Sequence, residues 1–269
     1  ELQKSVDALA DLTFANTSAA LTGTTADILA ALDSAPVDYK GAIKVTDAVN
    51  AADLKTINDA TDGAITLTKV SEPLSGDYAT ITAALDGITG YKGAITLSDA
   101  ANDAPANINA VAKLTTGKLI ATLDAITDIT DATVTALKDV NTKDAITFAA
   151  TDLSADATAL LALSKLIPTA TFNLVATITE GAAEIGTNGK NVIDAINKLN
   201  KGNTAVELAG TVSVASVKAI NDATTGELTV NTVKTAGGAF DLSKLGDLDE
   251  VQGLTTIDAQ DGKVTNITL

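Results

Sequence analysis

The sequence predicts a right-handed α/β solenoid of about ten short strand–helix repeats, with one parallel sheet and helices on one face of that sheet. Three observations predict this fold. Near-identical strand segments recur along the chain, helical segments lie between them, and apolar and polar residues alternate within each strand segment.

The strand segments are the clearest repeat. Close copies occur at 41–46 (GAIKVT), 63–68 (GAITLT), 93–98 (GAITLS) and 144–149 (DAITFA), and weaker versions follow. The first inward apolar positions are predicted to be Phe14, Ile43, Ile65, Ile95, Ala121, Ile146, Phe172, Val206, Leu228 and Ile257. Their spacing runs from 22 to 34 residues with a mean of 27, which indicates a repeat with variable insertions.

The segments between strands predict short helices. Apolar residues lie three apart, which places one apolar stripe on a helix of two to three turns. The stripes are Leu54, Ile57 and Ala60; Ile108, Val111 and Leu114; Val134, Leu137 and Val140; and Val217, Ile220 and Ala223. Asp53 and Asp131 are the predicted N-caps. Gly63, Gly117 and Gly226 are predicted to end helices in the left-handed conformation.

This order of elements predicts the topology. Consecutive strands joined by a helix are expected to be parallel, with a right-handed crossover. A sheet covered on both faces has continuous apolar strands, whereas these strands alternate, so one face is expected to be open. We expect an N-terminal capping helix at 1–13, the repeats at 14–258 and a C-terminal capping strand at 259–269. No linker that would divide the chain is evident.

Composition excludes several classes of function. The chain has a formal charge of -16, and all 18 basic residues are Lys, so we expect no nucleic-acid binding. No run of about 18 consecutive apolar residues occurs, so we expect no membrane insertion. With no Cys it forms no disulfide and no thiolate zinc site. The chain has no His and no Arg, and it has only seven aromatic residues. Few side chains are therefore suited to build a site that cleaves polysaccharides. We therefore predict that the chain is not an enzyme.

The open strand face is the predicted binding surface. Its middle row is Lys44, Thr66, Thr96, Thr122, Thr147, Asn173, Glu207 and Thr229. Such a row suits contact with a protein or a glycan, although Thr is also simply a favourable residue for an exposed strand.

We expect no cofactor and no metal, with calcium as the one alternative. Its candidate ligands are Asp124, Asp128 and Asp131, which lie close together in the sequence. The alternating ligands and tight Gly turn of calcium loops are missing. Helix capping and solvation explain the same acidic residues.

The GAITL-type strands and the helix ends that read NDAT-G resemble the repeats of large secreted surface and adhesin-type proteins of bacteria. This resemblance covers residues 14–258 and implies an S-layer, adhesin or cell-surface role outside the cell. The predicted function is a non-catalytic structural or adhesive repeat module, which contacts a protein or glycan surface or associates with itself. The alternatives are a module that binds glycan or protein through the Thr-rich face, and a segment of a phage or virus fibre.

Overall fold

The chain is an α/β protein with parallel sheets. The computed structural model describes residues 18–33, 39–98, 104–150, 153–172, 175–180, 189–199, 204–235, 251–252 and 256–259. The predicted capping helix at 1–13, the strand position Phe14 and the site residue Asn173 lie outside these residues. So does the predicted capping strand, apart from Ala259, which ends the last described strand.

Short helices and strands alternate along the described residues. The helices are α1 Thr25–Asp33, α2 Ala51–Asp59, α3 Tyr78–Ala84, α4 Pro105–Ala112, α5 Asp131–Ala136, α6 Ala157–Leu166, α7 Lys190–Leu199 and α8 Val214–Asn221. The strands are β1 Leu21–Gly23, β2 Ile43–Val45, β3 Ile65–Leu67, β4 Leu74–Gly76, β5 Ile95–Leu97, β6 Leu119–Leu123, β7 Asp128–Ile129, β8 Ala145–Phe148, β9 Leu153–Asp156, β10 Thr171–Phe172, β11 Val175–Glu180, β12 Ala205–Ser213, β13 Leu228–Thr235, β14 Val251–Gln252 and β15 Thr256–Ala259.

The chain forms two compact units, although no division is evident in the sequence. Unit 1 comprises Glu1–Ala125 and Leu137–Thr147, and unit 2 comprises Ile126–Ala136 and Phe148–Leu269. In unit 1, β1, β2 and β3 form one sheet, and β4, β5, β6 and β8 are successive strands of another. In unit 2 the order is β7, β9, β11, β12, β13 and β14, and β15 also pairs with β13.

Every strand pair whose register is described is parallel, as predicted. Helices that follow one another along the chain pack side by side, with α1 to α4 in unit 1 and α5 to α8 in unit 2. This packing buries the predicted stripes, including Leu54, Ile57, Ile108 and Val111, each of which is fully buried.

The predicted alternation of buried and exposed residues is confirmed in the strands. In β2, Ile43 and Val45 are buried and Lys44 between them is exposed. In β6, Leu119, Ala121 and Leu123 are buried, whereas the intervening Ile120 is exposed. The strands whose burial the structure describes therefore place one side in the core and leave the other side at least partly in contact with solvent.

Several short strands were not predicted. The strands β1, β4, β7 and β9 lie just before a helix, and neither these four nor β11 carry the GAITL pattern. Their presence changes the neighbours of the predicted strands. Ile43 does lie beside Ile65, but Ile95 pairs with Leu74 of β4 and not with Ile65. The spacing of 30 residues between Ile65 and Ile95 is therefore not a repeat length, because β4 lies between them in sequence.

The prediction that Gly63, Gly117 and Gly226 are left-handed is wrong. Among the described glycines, only Gly87, Gly90 and Gly189 have a positive φ. Gly117 is required for a different reason, since a Cβ atom there would lie 2.5 Å from the carbonyl carbon of Gly93 on the preceding strand. Glycine allows two successive coils to approach this closely.

A threonine two residues before each of these glycines joins neighbouring coils. The hydroxyl of Thr115 donates to the carbonyl of Gly93 at 2.7 Å and accepts from the N–H of Gly117 at 2.7 Å. Thr61 makes the same two bonds to Gly41 and Gly63. Thr224 repeats them in unit 2, with the carbonyl of Thr204 and the N–H of Gly226. The recurring T-x-G sequence is thus a corner that links coils, and we call it the Thr corner.

One coil replaces the glycine with a buried aspartate. Asp144 occupies the Gly position of the DAITF copy and is completely buried. Its carboxylate accepts from the N–H of Leu119 at 2.8 Å and from the N–H of Asn141 at 2.9 Å. In other coils a backbone carbonyl takes the first of these roles, as when Ile95 N–H donates to the carbonyl of Lys118. The side chain here replaces a main-chain link between coils.

The predicted N-caps are also corrected. The N-cap of α2 is Asn50, whose side chain accepts from the N–H of Asp53 at 2.8 Å, so Asp53 lies in the first turn. Asn50 in turn donates to the Asp53 carboxylate, a reciprocal arrangement. Asp131 is the first residue of α5 and not the residue that precedes it.

Candidate contact surface

The outward positions of unit 1 carry exposed or half-buried side chains that repeat from coil to coil on two sheets. Around β2, β3, β5, β6 and β8, outward residues alternate with buried or half-buried ones from the turn before the strand to the strand end. Three of the rows are Lys40, Asp62, Lys92, Thr116 and Lys143; Ala42, Ala64, Ala94, Lys118 and Ala145; and Lys44, Thr66, Thr96, Ile120 and Thr147. This side of unit 1 therefore carries mainly small, hydroxyl and Lys side chains, together with Asp62 and the exposed Ile120.

The outward positions of unit 2 carry acids and threonines. Along one row, Asp156 lies beside Thr179, Thr179 beside Glu207, and Glu207 beside Thr229. Asp128 lies beside Ser154 on the next row. Glu207 and Asp128 are exposed, and the others are half-buried.

The predicted binding row is only partly continuous. Lys44 is the direct neighbour of Thr66, and Glu207 is the direct neighbour of Thr229. Thr96 instead lies between Ser75 and Ile120, so its predicted neighbours Thr66 and Thr122 are not beside it. The intervening β4 and a register two residues earlier in β6 explain the difference.

The exposure of the predicted row varies along the chain. Lys44, Thr66 and Glu207 are exposed, whereas Thr96, Thr122, Thr147 and Thr229 are half-buried. The first five of these residues in chain order belong to unit 1, and Glu207 and Thr229 belong to unit 2.

A shallow groove of about 560 Å³ lies on the acidic side of unit 2. Its lining residues are Thr130, Asp131, Ala132, Asp156, Thr179, Glu180 and Glu207. The groove was not predicted, because its acids come from four segments that are far apart in sequence. The carboxylates and threonine hydroxyls in its lining can bind ammonium groups and hydroxyls.

Many acidic residues near strand ends bind the N-termini of helices. The carboxylate of Asp47 accepts from the N–H and the hydroxyl of Thr25, both at 2.8 Å. Asp77 caps α3 by accepting from the N–H of Thr80, and this bond lowers the pKa of the Asp77 carboxyl. Asp156 caps α6 by accepting from the N–H of Ala159. Carboxylates are favourable there because helix N-termini carry unsatisfied N–H groups and partial positive charge.

The calcium candidates do not form a coordinating cluster. Asp124, Asp128 and Asp131 are all exposed, and Asp124 belongs to a different unit from the other two. Within the described ranges, no group of three or more acidic, His or Cys side chains is arranged to hold a metal ion.

A second polar link between coils of unit 1 joins helix α4 to the turn that follows α5. The side chain of Asn109 in α4 donates to the Asp139 carboxylate at 2.8 Å and accepts from the Asp139 N–H at 2.7 Å. Lys113 forms an ion pair with the same carboxylate at 3.1 Å. The bonds from Asn109 and then from Lys113 lower the pKa of the Asp139 carboxyl.

Tyr39 and Tyr91 belong to the core, although both lie near loops in the sequence. They are almost completely buried, and their hydroxyls donate to the carbonyls of Ala19 and Glu72. Burial raises the pKa of Tyr91 to about 12. These two tyrosines occupy equivalent positions in two segments of the chain. The segments start 53 residues apart, at Leu21 and Leu74.

Two further findings concern the described helices and the similarity of the chain to known proteins. Each helix in the part of the chain that the structure describes is too short or too polar to cross a bilayer. Comparisons of the chain with protein-family models, with curated proteins and with solved structures found no match.

Proposed function

We propose that the chain is a non-catalytic structural or adhesive module of an extracellular or cell-surface protein. Its architecture on this proposal is a right-handed solenoid of about ten strand–helix coils, with helices on one face of the strands and the other face free for contact. The observation that carries the proposal concerns the side chains on the outward side of the strands. There, exposed side chains repeat from coil to coil over a buried and hydrogen-bonded core.

The use of the polar side chains supports a structural role. The Thr corners, Asp144, Asn109 and the buried tyrosines all bind backbone or side chains of neighbouring coils. In repeat proteins each coil gains stability from its neighbours, so links of this kind stabilise the whole array. Such an array holds a flat surface in a fixed shape.

A matched pair of threonines tests whether the outward side of unit 1 makes the contacts. Thr66 on strand β3 and Thr56 on helix α2 are both exposed. The chain has no Cys, so Thr66→Cys and Thr56→Cys each provide one attachment point for a bulky polyethylene glycol maleimide.

Retention of labelled protein is then measured on bacterial cells, on immobilised polysaccharides and on beads that carry the same chain. We expect the label at position 66 to lower retention at least tenfold and the label at position 56 to leave it unchanged. Equal retention of both labelled proteins on a surface that binds the unlabelled chain would refute the proposal.

A glycan-binding role for unit 2 is the second candidate, and the groove favours it. Carboxylates of Asp131, Asp156 and Glu207 line the groove beside Thr179, and sugar hydroxyls can donate to these carboxylates. Isothermal titration with neutral and cationic oligosaccharides tests this role. Binding that is lost in Glu207→Gln and kept in Glu227→Gln would support it.

A further inference from the structure

We propose that the Lys-bearing outward side of unit 1 binds the acidic outward side of unit 2 in a second copy of this chain. The inference names a partner for the surface proposed above and therefore rests on that proposed function. It comes from the distribution of charge over the outward positions of the strands and the turns that lead into them.

Charge is segregated between the two outward sides. In unit 1 these positions hold five exposed lysines, Lys40, Lys44, Lys92, Lys118 and Lys143. The acids among them are Asp62, Glu72 in the turn before β4 and Asp124 at the end of β6, so the lysines outnumber the acids by five to three. In unit 2 they hold Asp128, Asp156, Glu207 and Glu227, and no Lys occupies such a position among the described residues of 126–136, 153–180 and 204–229. Lys234 follows later in β13, where it lies beside Asp258 of β15. One side is therefore positive and the other negative, in a chain whose formal charge is -16.

The lysines are available for an external partner. The ion pairs among the described residues are Lys55 with Asp59, Lys113 with Asp139 and Lys190 with Asp194. None of these involves the outward lysines of unit 1. Lys143 donates to the carbonyl of Thr116 and keeps its charge.

The residues of the two sides have the same spacing within their sheets. Outward residues repeat about every 7 Å along a strand, and parallel strands lie about 4.8 Å apart, so both sides present the same lattice. Ala42, Ala64 and Ala94 keep the unit 1 side low around its lysines. The unit 2 side offers the groove between Asp131, Asp156 and Glu207, and its volume of about 560 Å³ is sufficient to receive a Lys side chain.

A second copy carries the complementary side, and the net charge restricts how the two copies can meet. Two chains of charge -16 repel one another at long range, so attraction requires that the opposite sides face each other at short range. Such a contact joins different surfaces of the two copies. Each added copy still exposes one unused surface of each kind, and the assembly extends into chains unless its rotation closes a ring.

Charge reversal tests the pairing in the full-length chain. Variant A carries Lys44→Glu, Lys92→Glu and Lys118→Glu, and variant B carries Asp128→Lys, Glu207→Lys and Glu227→Lys. A control variant carries Lys55→Glu, Lys138→Glu and Lys165→Glu, the same change in net charge as variant A at positions on or just after helices. Circular dichroism first establishes that each variant is folded.

Sedimentation velocity then measures association from 20 to 500 µM. We expect the native chain to associate at 50 mM NaCl and its dissociation constant to rise at least tenfold at 500 mM NaCl, where the Debye length is shorter. Variants A and B each remain monomeric, and an equimolar mixture of the two associates again. The control retains the association of the native chain to within about threefold.

Three results would overturn the inference: a native chain that is monomeric at 500 µM and 50 mM NaCl, a mixture of A and B that stays monomeric, or a control weakened as much as variant A. A native chain that stays monomeric and binds alginate through the same lysines also overturns it and assigns them to an anionic polymer. If the label at position 66 blocks retention while the mixture stays monomeric, the pairing fails and the proposed function stands.

Discussion

Substitution of Gly117 tests why glycine is needed at the corners between coils. A Cβ at Gly117 would lie 2.5 Å from the carbonyl carbon of Gly93 and 2.6 Å from the carbonyl oxygen of Lys92, where ordinary contact begins near 3.4 Å. These are backbone atoms of the preceding coil and cannot rotate away. We therefore expect Gly117→Ala to lower the free energy of unfolding by about 3 kcal/mol, the upper end of the usual overpacking cost.

Gly87 provides the matched comparison. Its φ is 68°, and a Cβ there would meet no atom within 4 Å, so only the left-handed backbone opposes a side chain. Gly87→Ala is expected to cost about 1 to 2 kcal/mol. Asn tolerates the left-handed conformation, so Gly87→Asn should cost less than Gly87→Ala, whereas Gly117→Asn should cost at least as much as Gly117→Ala.

Urea unfolding followed by circular dichroism measures all four variants, with the slope of the transition recorded to detect separate unfolding of the two units. A cost for Gly117→Ala no larger than that for Gly87→Ala would refute the reasoning. A smaller cost for Gly117→Asn than for Gly117→Ala would show that Gly117 is needed for a left-handed backbone after all.

Three further perturbations address the links between coils. Thr115→Val removes both bonds of a Thr corner. It should lower the free energy of unfolding in urea by about 2 kcal/mol, because the carbonyl of Gly93 and the N–H of Gly117 lose their partner. A loss below about 0.5 kcal/mol, equal to that of the exposed control Thr116→Val, would contradict this. Asp144→Ala leaves the N–H groups of Leu119 and Asn141 unpaired. It should therefore lower the melting temperature more than the control Asp124→Ala at the exposed strand end. Equal melting temperatures of the two variants would show that the bonds of Asp144 do not stabilise the fold. The pKa of Tyr91 is raised from 10 to about 12, so stability should fall as pH rises through that window, since the unfolded tyrosine ionises first. In Tyr91→Phe this part of the pH dependence should disappear, and an unchanged slope between pH 10 and 12 would argue against a buried Tyr91.

The repeated strands could be predicted because their signal is local. Ile43, Ile95 and Ile146 each start an alternating segment, and the alternation alone identifies which side is buried. Strands such as Leu21–Gly23 and Leu74–Gly76 were not predicted, because three residues that end in Gly are too few to show an alternation of apolar and polar side chains.

The function of the corner glycines could not be read locally. T-x-G after an apolar stripe is also typical of a helix C-terminus, and nothing near Gly117 in the sequence indicates that the carbonyl of Gly93 lies against it. That contact depends on how two coils stack, which is a property of tertiary structure.

The candidate surface was predicted in part for similar reasons. Alternation correctly placed Lys44 and Thr66 on the outward side and beside each other. The neighbours of Thr96 depended on a strand that was not predicted and on the register of β6. The segregation of Lys and acid between two units was invisible in a net charge of -16, because the division into units is not marked in the sequence.

Cysteine accessibility tests the central claim most directly, namely that each strand buries one side and leaves the other free. In a chain without native Cys, single cysteines at Lys44 and Thr66 should react rapidly with a bulky maleimide, whereas cysteines at Val45 and Leu67 should react only upon unfolding. We predict rate differences of at least a hundredfold between adjacent positions of one strand. Uniformly slow reaction at all four positions in the folded protein would show that the outward side is covered, and would contradict the account.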